Sequence, residues 1–304
     1  MSIAPIVLFV YNRLSHTRRT IDSLRKNKLA EVSELFVYSD HAKDADSKIA
    51  VQEVRDYISQ LKGFKQITII YREENFGLAK SIIAGVTEVV NKYGKIIVLE
   101  DDIVTSPFFL KFMNDALNFY QENSVVWHIS GWNYPINQDK IEDVFLWRLM
   151  NCWGWATWKQ EWSFFEKNTD LMMAKFNKIN ICKFNLDGSE NFWKQIQQNK
   201  QGEIDSWAIF WYATIFLNKG LCLNPSKTFV LNIGHDGSGV HCDINSNFND
   251  SLSLRSDINF NCENIENKIA LGRIQNFYKT QKINIFIRVV NKISRLTLGS
   301  NIIN

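Results

Sequence analysis

The stretch Lys95–Phe109, KIIVLEDDIVTSPFF, sets four apolar residues (Ile96–Leu99) directly against three carboxylates, Glu100, Asp101 and Asp102. Pro107, Phe108 and Phe109 follow almost at once. Adjacent carboxylates repel one another and are costly to desolvate. An apolar run that ends in such a cluster reads as a buried strand aiming its acids into a crevice. Along a strand, Asp101 would face one way and Glu100 and Asp102 the other. Past the strand end that alternation relaxes, so geometry alone does not choose the binding acid. Hard oxygens in this position suit Mg2+ or Mn2+ holding a substrate phosphate. The cation would offset the repulsion that otherwise raises the acids' pKa values.

Outward from this stretch the first half alternates. Apolar, β-rich runs recur at Ile6–Val10, Leu35–Tyr38, Ile67–Tyr71 and Val125–Ile129. Between them the spacing predicts helices over Thr17–Lys28, Asp46–Leu61, Leu78–Tyr93 and Pro107–Gln121. This is the pattern of an α/β chain with a mainly parallel sheet flanked by helices. The runs are apolar throughout, as expected of strands buried on both faces. In such sheets ligands bind beyond the carboxyl ends of the strands. Polar groups stand at those ends: Tyr11–Asn12–Arg13, Ser39–Asp40–His41, and REENFGLAKS with Asn75, Gly77 and Lys80. No GxGxxG follows the first strand and no GxxxxGK[ST] occurs, so a nucleotide would be held without a glycine loop.

Composition bounds the rest. The chain has 304 residues, 45% of them hydrophobic and 22% charged, which excludes wholesale disorder. A net charge of +3 is too balanced for nucleic acid as the main partner. The five cysteines show no CxxC or Cys/His metal spacing, which fits reduced thiols in a cytoplasmic compartment. MSIAPIVLFVYNR lacks a basic leader region and reads as a first strand, not a signal peptide.

The second half is less regular but rich in motifs: SGWNYP, NCWGWATW, GEIDSWAIFWYATIF and NIGHDGSGVHC. With EDDIVTSPFFLKFM they follow the order found in a known family. From about Pro5 to His241 the chain resembles the GT-A-fold glycosyltransferases, in particular N-acetylglucosaminyltransferase I and family-2-like bacterial sugar transferases. The resemblance implies an α/β GT-A fold for nucleotide-diphospho-sugar transfer. It implies that Arg13 and Asp40 contact the nucleotide base, that Asp101 lies near the donor ribose or sugar, and that Asp102 ligates the metal. Lys80 and Glu100 belong to the same donor side. Asp205 matches the catalytic base, and His235 or His241 a late loop that closes over the diphosphate. The pattern departs from the family at Asp205–Ser206–Trp207, where a paired-acid version is usual, and in the length of the late loop.

Physical chemistry reaches similar roles less sharply. An inverting transfer needs a base for the acceptor hydroxyl and a cation for the leaving diphosphate. Asp205, beside Trp207, Phe210 and Trp211, could be that base, or the N-cap of the apolar helix that follows. Trp132, Asn133, Trp153, Trp155 and Trp207 either line an acceptor site or build a packed aromatic corner.

The expectation is a Mn2+- or Mg2+-dependent inverting glycosyltransferase. It would take a nucleotide-sugar donor, a UDP-sugar by preference, and a glycan or lipid-linked acceptor in bacterial surface polysaccharide synthesis. The alternatives are a sugar-phosphate nucleotidyltransferase and a catalytically silent glycan-binding module. Residues 1–243 are expected to form the transferase domain, 1–130 binding nucleotide and 131–243 serving acceptor and catalysis. Residues 244–304 form an extension whose basic amphipathic helix, KINIFIRVVNKISRLTL, either packs on the body or contacts the inner face of the cell membrane.

Overall fold

The computed structural model describes residues 2–236 and 251–282. His241 and all but the first residue, Lys282, of the expected basic helix lie outside the described residues.

Strands β1 (Ile6–Val10), β2 (Glu34–Ser39), β3 (Gln66–Tyr71) and β4 (Lys95–Glu100) alternate with helices α1 (Leu14–Arg25), α2 (Lys48–Ile58) and α3 (Gly77–Tyr93). The strands pair in parallel in the order β3-β2-β1-β4. Every residue of β1, and Lys95–Leu99 of β4, is buried, which is why these runs are apolar on both faces. Gly94 ends α3 in a left-handed conformation (φ 81°), its N–H donating to the Val90 carbonyl at 2.8 Å. That cap lets the chain reverse at once into β4.

After β4 come the short strand β5 (Ile103–Thr105), α4 (Phe109–Phe119), β6 (Val126–Ser130), β7 (Val144–Trp147) and β8 (Trp155–Trp158). Helices α5 (Lys159–Trp162), α6 (Thr169–Lys175), α7 (Lys178–Phe184), α8 (Trp193–Gln201) and α9 (Ala208–Leu217) precede β9 (Leu221–Pro225) and β10 (Val230–Asn232). The sheet continues from β4 through β8, β6 and β9 to β7. Strands β8 and β7 run against the other six, so the sheet is mostly parallel. β5 and β10 form a separate antiparallel pair.

Residues 251–282 fold back on the body, with helix α10 at 268–282. The Tyr120 hydroxyl donates to the Phe260 carbonyl at 2.6 Å. Arg255 pairs with Asp143, and Arg148 with Glu266. The Asn267 N–H donates to the Leu146 carbonyl at 2.8 Å, and the Tyr134 and Tyr278 hydroxyls meet at 2.6 Å. Among the described residues no helix is long and apolar enough to cross a membrane.

Candidate active site

Chain order explains why one arginine meets two acids almost ninety residues later. From β1 the chain runs outward to β2 and β3, then returns past β1 to form β4. The β1/β4 seam is therefore the point where the winding direction switches, the place where sheets of this kind bind their ligands. Phe9 stands in register with Glu100, so Arg13 and the acids leave the sheet at the same edge. The Arg13 guanidinium donates to Asp101 Oδ1 and, at 2.9 Å, to Asp102 Oδ2. Thr20 Oγ1 donates to the Asp101 carbonyl at 2.7 Å and ties the acid turn to α1.

Pairing of β5 with β10 brings a distant loop onto the same acids. The Ile233 N–H donates to the Asp102 carbonyl at 2.9 Å. Gly234 lies so close that a Cβ there would run into the Asp102 carboxylate and crowd the Arg13 guanidinium. Only glycine permits this approach. His16 Nε2, on α1, lies 3.1 Å from Asp236 Oδ2 and fastens the end of that loop.

Three carboxylates share one guanidinium. Burial, then the charges of Asp102 and Asp101, push the Glu100 carboxyl up to about 8. Burial also pushes Asp101 up to about 6, against the pull of Arg13. The cluster is thus short of positive charge. Among the described residues no three His, Cys, Asp or Glu side chains form a ready metal cage. Mg2+-type sites seldom need one, since one or two carboxylates and the substrate's phosphates suffice.

Asp40, expected to contact the base, is engaged within the protein. Its Oδ1 accepts from the His41 and Phe76 N–H groups, both at 2.9 Å. Its Oδ2 accepts from the Gly77 N–H at 2.9 Å and from Asn75 Nδ2 at 3.3 Å. With these acceptor sites taken, Asp40 shapes the Asn75–Gly77 loop at the head of α3. Lys80, one turn further on, is exposed; its Nζ lies 3.2 Å from Glu74 and 3.8 Å from the centre of the Phe76 ring.

Asp205 sits between α8 and α9. It is not the N-cap of α9, a position held by Trp207. Its carboxylate is 66% exposed and ion-paired to Lys167. The expected acceptor residues divide. Trp132, Asn133, Trp155 and Trp207 are buried. Trp155 stacks on Trp207 at 5.2 Å, and Asn133 Nδ2 donates to the Ser226 carbonyl at 2.8 Å. These four belong to the packed aromatic corner. Trp153 remains half-buried, 4.6 Å from Trp132 and 5.2 Å from the His235 ring, which places it against the loop that covers Asp102.

The family model of glycosyl transferase family 2 matches residues 6–185, from the start of β1 through α7. The chain belongs to glycosyl transferase family 2. It has the expected GT-A arrangement, a mostly parallel central sheet flanked by helices. Similar solved structures include S. aureus TarS residues 1–349, with 14% identity and a TM-score of 0.42, covering 76% of this chain and 61% of that one. The same TarS fragment in complex with UDP-GlcNAc is 14% identical, with a TM-score of 0.38, covering 74% and 57%. The mannosyltransferase PcManGT from Pyrobaculum calidifontis, in complex with GDP-Man and Mn2+, is 11% identical, with a TM-score of 0.38, covering 71% and 70%. The chain thus spans about three fifths of the length of the TarS fragment. A search of curated proteins finds no match.

The family match includes Arg13, Asp40 and the acids but stops short of Asp205 and the 232–236 loop. The sequence did not mark His16, Asp236, Lys167 or the pairing of Arg13 with the acids. Each is an ordinary charged residue whose partner is remote in sequence, so no local pattern marks it. Gly234 did carry a signal, as the first glycine of NIGHDGSG.

Proposed function

We propose that the chain is a divalent-metal-dependent, inverting glycosyltransferase that moves a sugar from a nucleotide-diphosphate donor to a hydroxyl of a glycan or lipid-linked acceptor. The observation that carries this reading is the charge-deficient Arg13–Asp101–Asp102 cluster at the β1/β4 switch point. The donor set fits the group, because it offers buried hard oxygens whose mutual repulsion a divalent cation relieves. Mn2+ or Mg2+, held through Asp102, would neutralise charge on the leaving diphosphate. The Asn75–Gly77 loop, ordered by Asp40, and Arg13 would position the nucleotide. Glu100, Asp101 and Lys80 would complete the donor side, and the His235 loop would close over it.

Asp205 would take the proton of the acceptor hydroxyl. The acceptor oxygen then bonds to the anomeric carbon as the bond to the diphosphate oxygen breaks, and the nucleoside diphosphate leaves with that electron pair. A UDP-sugar is the favoured donor, and surface polysaccharide synthesis at the cytoplasmic face of the membrane the favoured setting. The absence of glycine in YNRLSHTRR after β1 speaks against a nucleotidyltransferase.

The test is a thermal-shift screen of UDP- and GDP-sugars with and without Mn2+, followed by assay of nucleoside diphosphate release. A bound donor stabilises the native state by mass action. Asp102→Asn is expected to lose the Mn2+-dependent shift. Asp205→Asn is expected to keep the shift and lose transfer. A chain that binds glycans without metal and stabilises with no donor would be a silent binding module instead.

A further inference from the structure

Asp102 is covered from two sides. Its side chain is only 10% exposed and that of Asp101 7%, against 20% for Arg13, which caps them both. Arg13 reaches the two carboxylates through one nitrogen, Nη2. Asp102 Oδ2, which Nη2 meets at 2.9 Å, also lies against Gly234. A divalent ion on this oxygen, at about 2.1 Å, would come up against the guanidinium, and like charges at such range repel strongly. One of the two covers must therefore yield. The loop is fastened along its length. Asn232 pairs with Ile103 across β10 and β5, the Ile233 N–H donates to the Asp102 carbonyl at 2.9 Å, the Gly234 N–H donates to Asn232 Oδ1 at 2.7 Å, and His16 meets Asp236 at 3.1 Å. Among the described residues, the Arg13 guanidinium hydrogen-bonds to the two carboxylates alone. Its backbone is anchored at the head of α1, where its carbonyl accepts from the Thr17 N–H at 2.9 Å. The long side chain can thus swing while the main chain stays in place.

We propose that Arg13 is a built-in stand-in for the metal. It holds Asp101 and Asp102 before a divalent cation binds, gives up Asp102 when the cation enters, and turns its guanidinium to the donor's diphosphate. The inference rests on the metal-dependent transferase reading above and deepens it, by naming the residue through which metal and donor are coupled. Before the metal binds, the cap spares the fold two buried carboxylates without a countercharge. The same cap makes the metal alone a weak ligand, because it must displace a cation that is already paired. A diphosphate that arrives with the metal offers the displaced guanidinium a planar, bidentate partner. Each ligand then raises the affinity for the other, by the same factor.

The test is Mn2+ binding to the full chain, followed by the electron paramagnetic resonance signal of the free ion, without nucleotide, with UDP and with GDP. The wild type is expected to bind Mn2+ at least about tenfold more tightly with one of the nucleotides than without. Arg13→Gln is expected to bind Mn2+ alone at least about tenfold more tightly than the wild type, since a like charge has gone from the site. It should also bind that nucleotide more weakly in the presence of Mn2+. Its coupling should fall to what direct contact between metal and phosphate supplies. Arg13→Lys should lie between the two, because an ammonium pairs with the acids but lacks the bidentate fork. Circular dichroism checks that each variant folds, and Arg13→Lys decides the sign of the effect should Arg13→Gln fail to. A purely structural role for Arg13 predicts weaker Mn2+ binding in both variants. That result, unchanged Mn2+ affinity, or equal Mn2+ affinity of the wild type with and without both nucleotides, would each overturn the proposal. Failure of the metal reading itself would look different: Mn2+ would bind neither the wild type nor Arg13→Gln, with or without nucleotide, and the proposal would fall with it.

Discussion

At the scale of single residues, two polar side chains show how much a buried group depends on its partners. Asp40 gives its carboxylate to three backbone N–H groups and one side-chain amide. Asp40→Ala leaves those donors without an acceptor and is expected to cost about 2 kcal/mol or more in urea unfolding. His128 is held neutral: Trp211 Nε1–H donates to its Nδ1 at 3.2 Å, and its Nε2 faces the Asn151 carbonyl at 3.0 Å. Burial pushes its pKa down to about 3. The unfolded chain binds that proton near pH 6.5, so the stability is complete above this value and is lost as pH falls toward 3. Between pH 7 and 5 the loss from this one group is about 2 kcal/mol. His128→Gln can keep both hydrogen bonds and should flatten that part of the stability profile in urea titrations at the two pH values. Gly234→Ala tests close approach in the site. Its methyl would press on Asp102, so the Mn2+-dependent thermal shift should disappear while the apo melting temperature stays close to wild type.

At the scale of elements, the first half was legible because apolar runs and helical spacing are local properties. The expected strands at Ile6–Val10 and Ile67–Tyr71 and the helix at Leu78–Tyr93 match β1, β3 and α3 to within a residue. β8 was not legible as a strand. WATW is too short and too aromatic to show a period, and its place between β4 and β6 depends on non-local pairing. The acids were legible as a strand-end cluster. Their pairing with Arg13 was not, since it arises only when β4 returns to β1. Trp155 marks the cost of removing β8's anchor. It is fully buried against His128, Trp162 and Trp207, and Trp155→Ala should cost about 3–5 kcal/mol by chemical denaturation.

At the scale of the whole molecule, residues 251–282 complete the body. They bring Phe260 to Tyr120 and Tyr278 to Tyr134, and they supply the charged partners of Asp143 and Arg148. A chain cut at residue 250 should therefore lose cooperative unfolding and bind a hydrophobic dye, outcomes that circular dichroism melts and dye fluorescence would read. The same lacing has a consequence for synthesis. Residues 251–282 are translated more than a hundred positions after β7. At about 5–20 residues per second, Leu146, Tyr134 and Arg148 wait on the order of 6–29 seconds for Asn267, Tyr278 and Glu266. Throughout that interval the nascent chain carries a finished β1–β4 sheet beside an uncovered aromatic flank. A ribosome-associated chaperone would find its binding surface there.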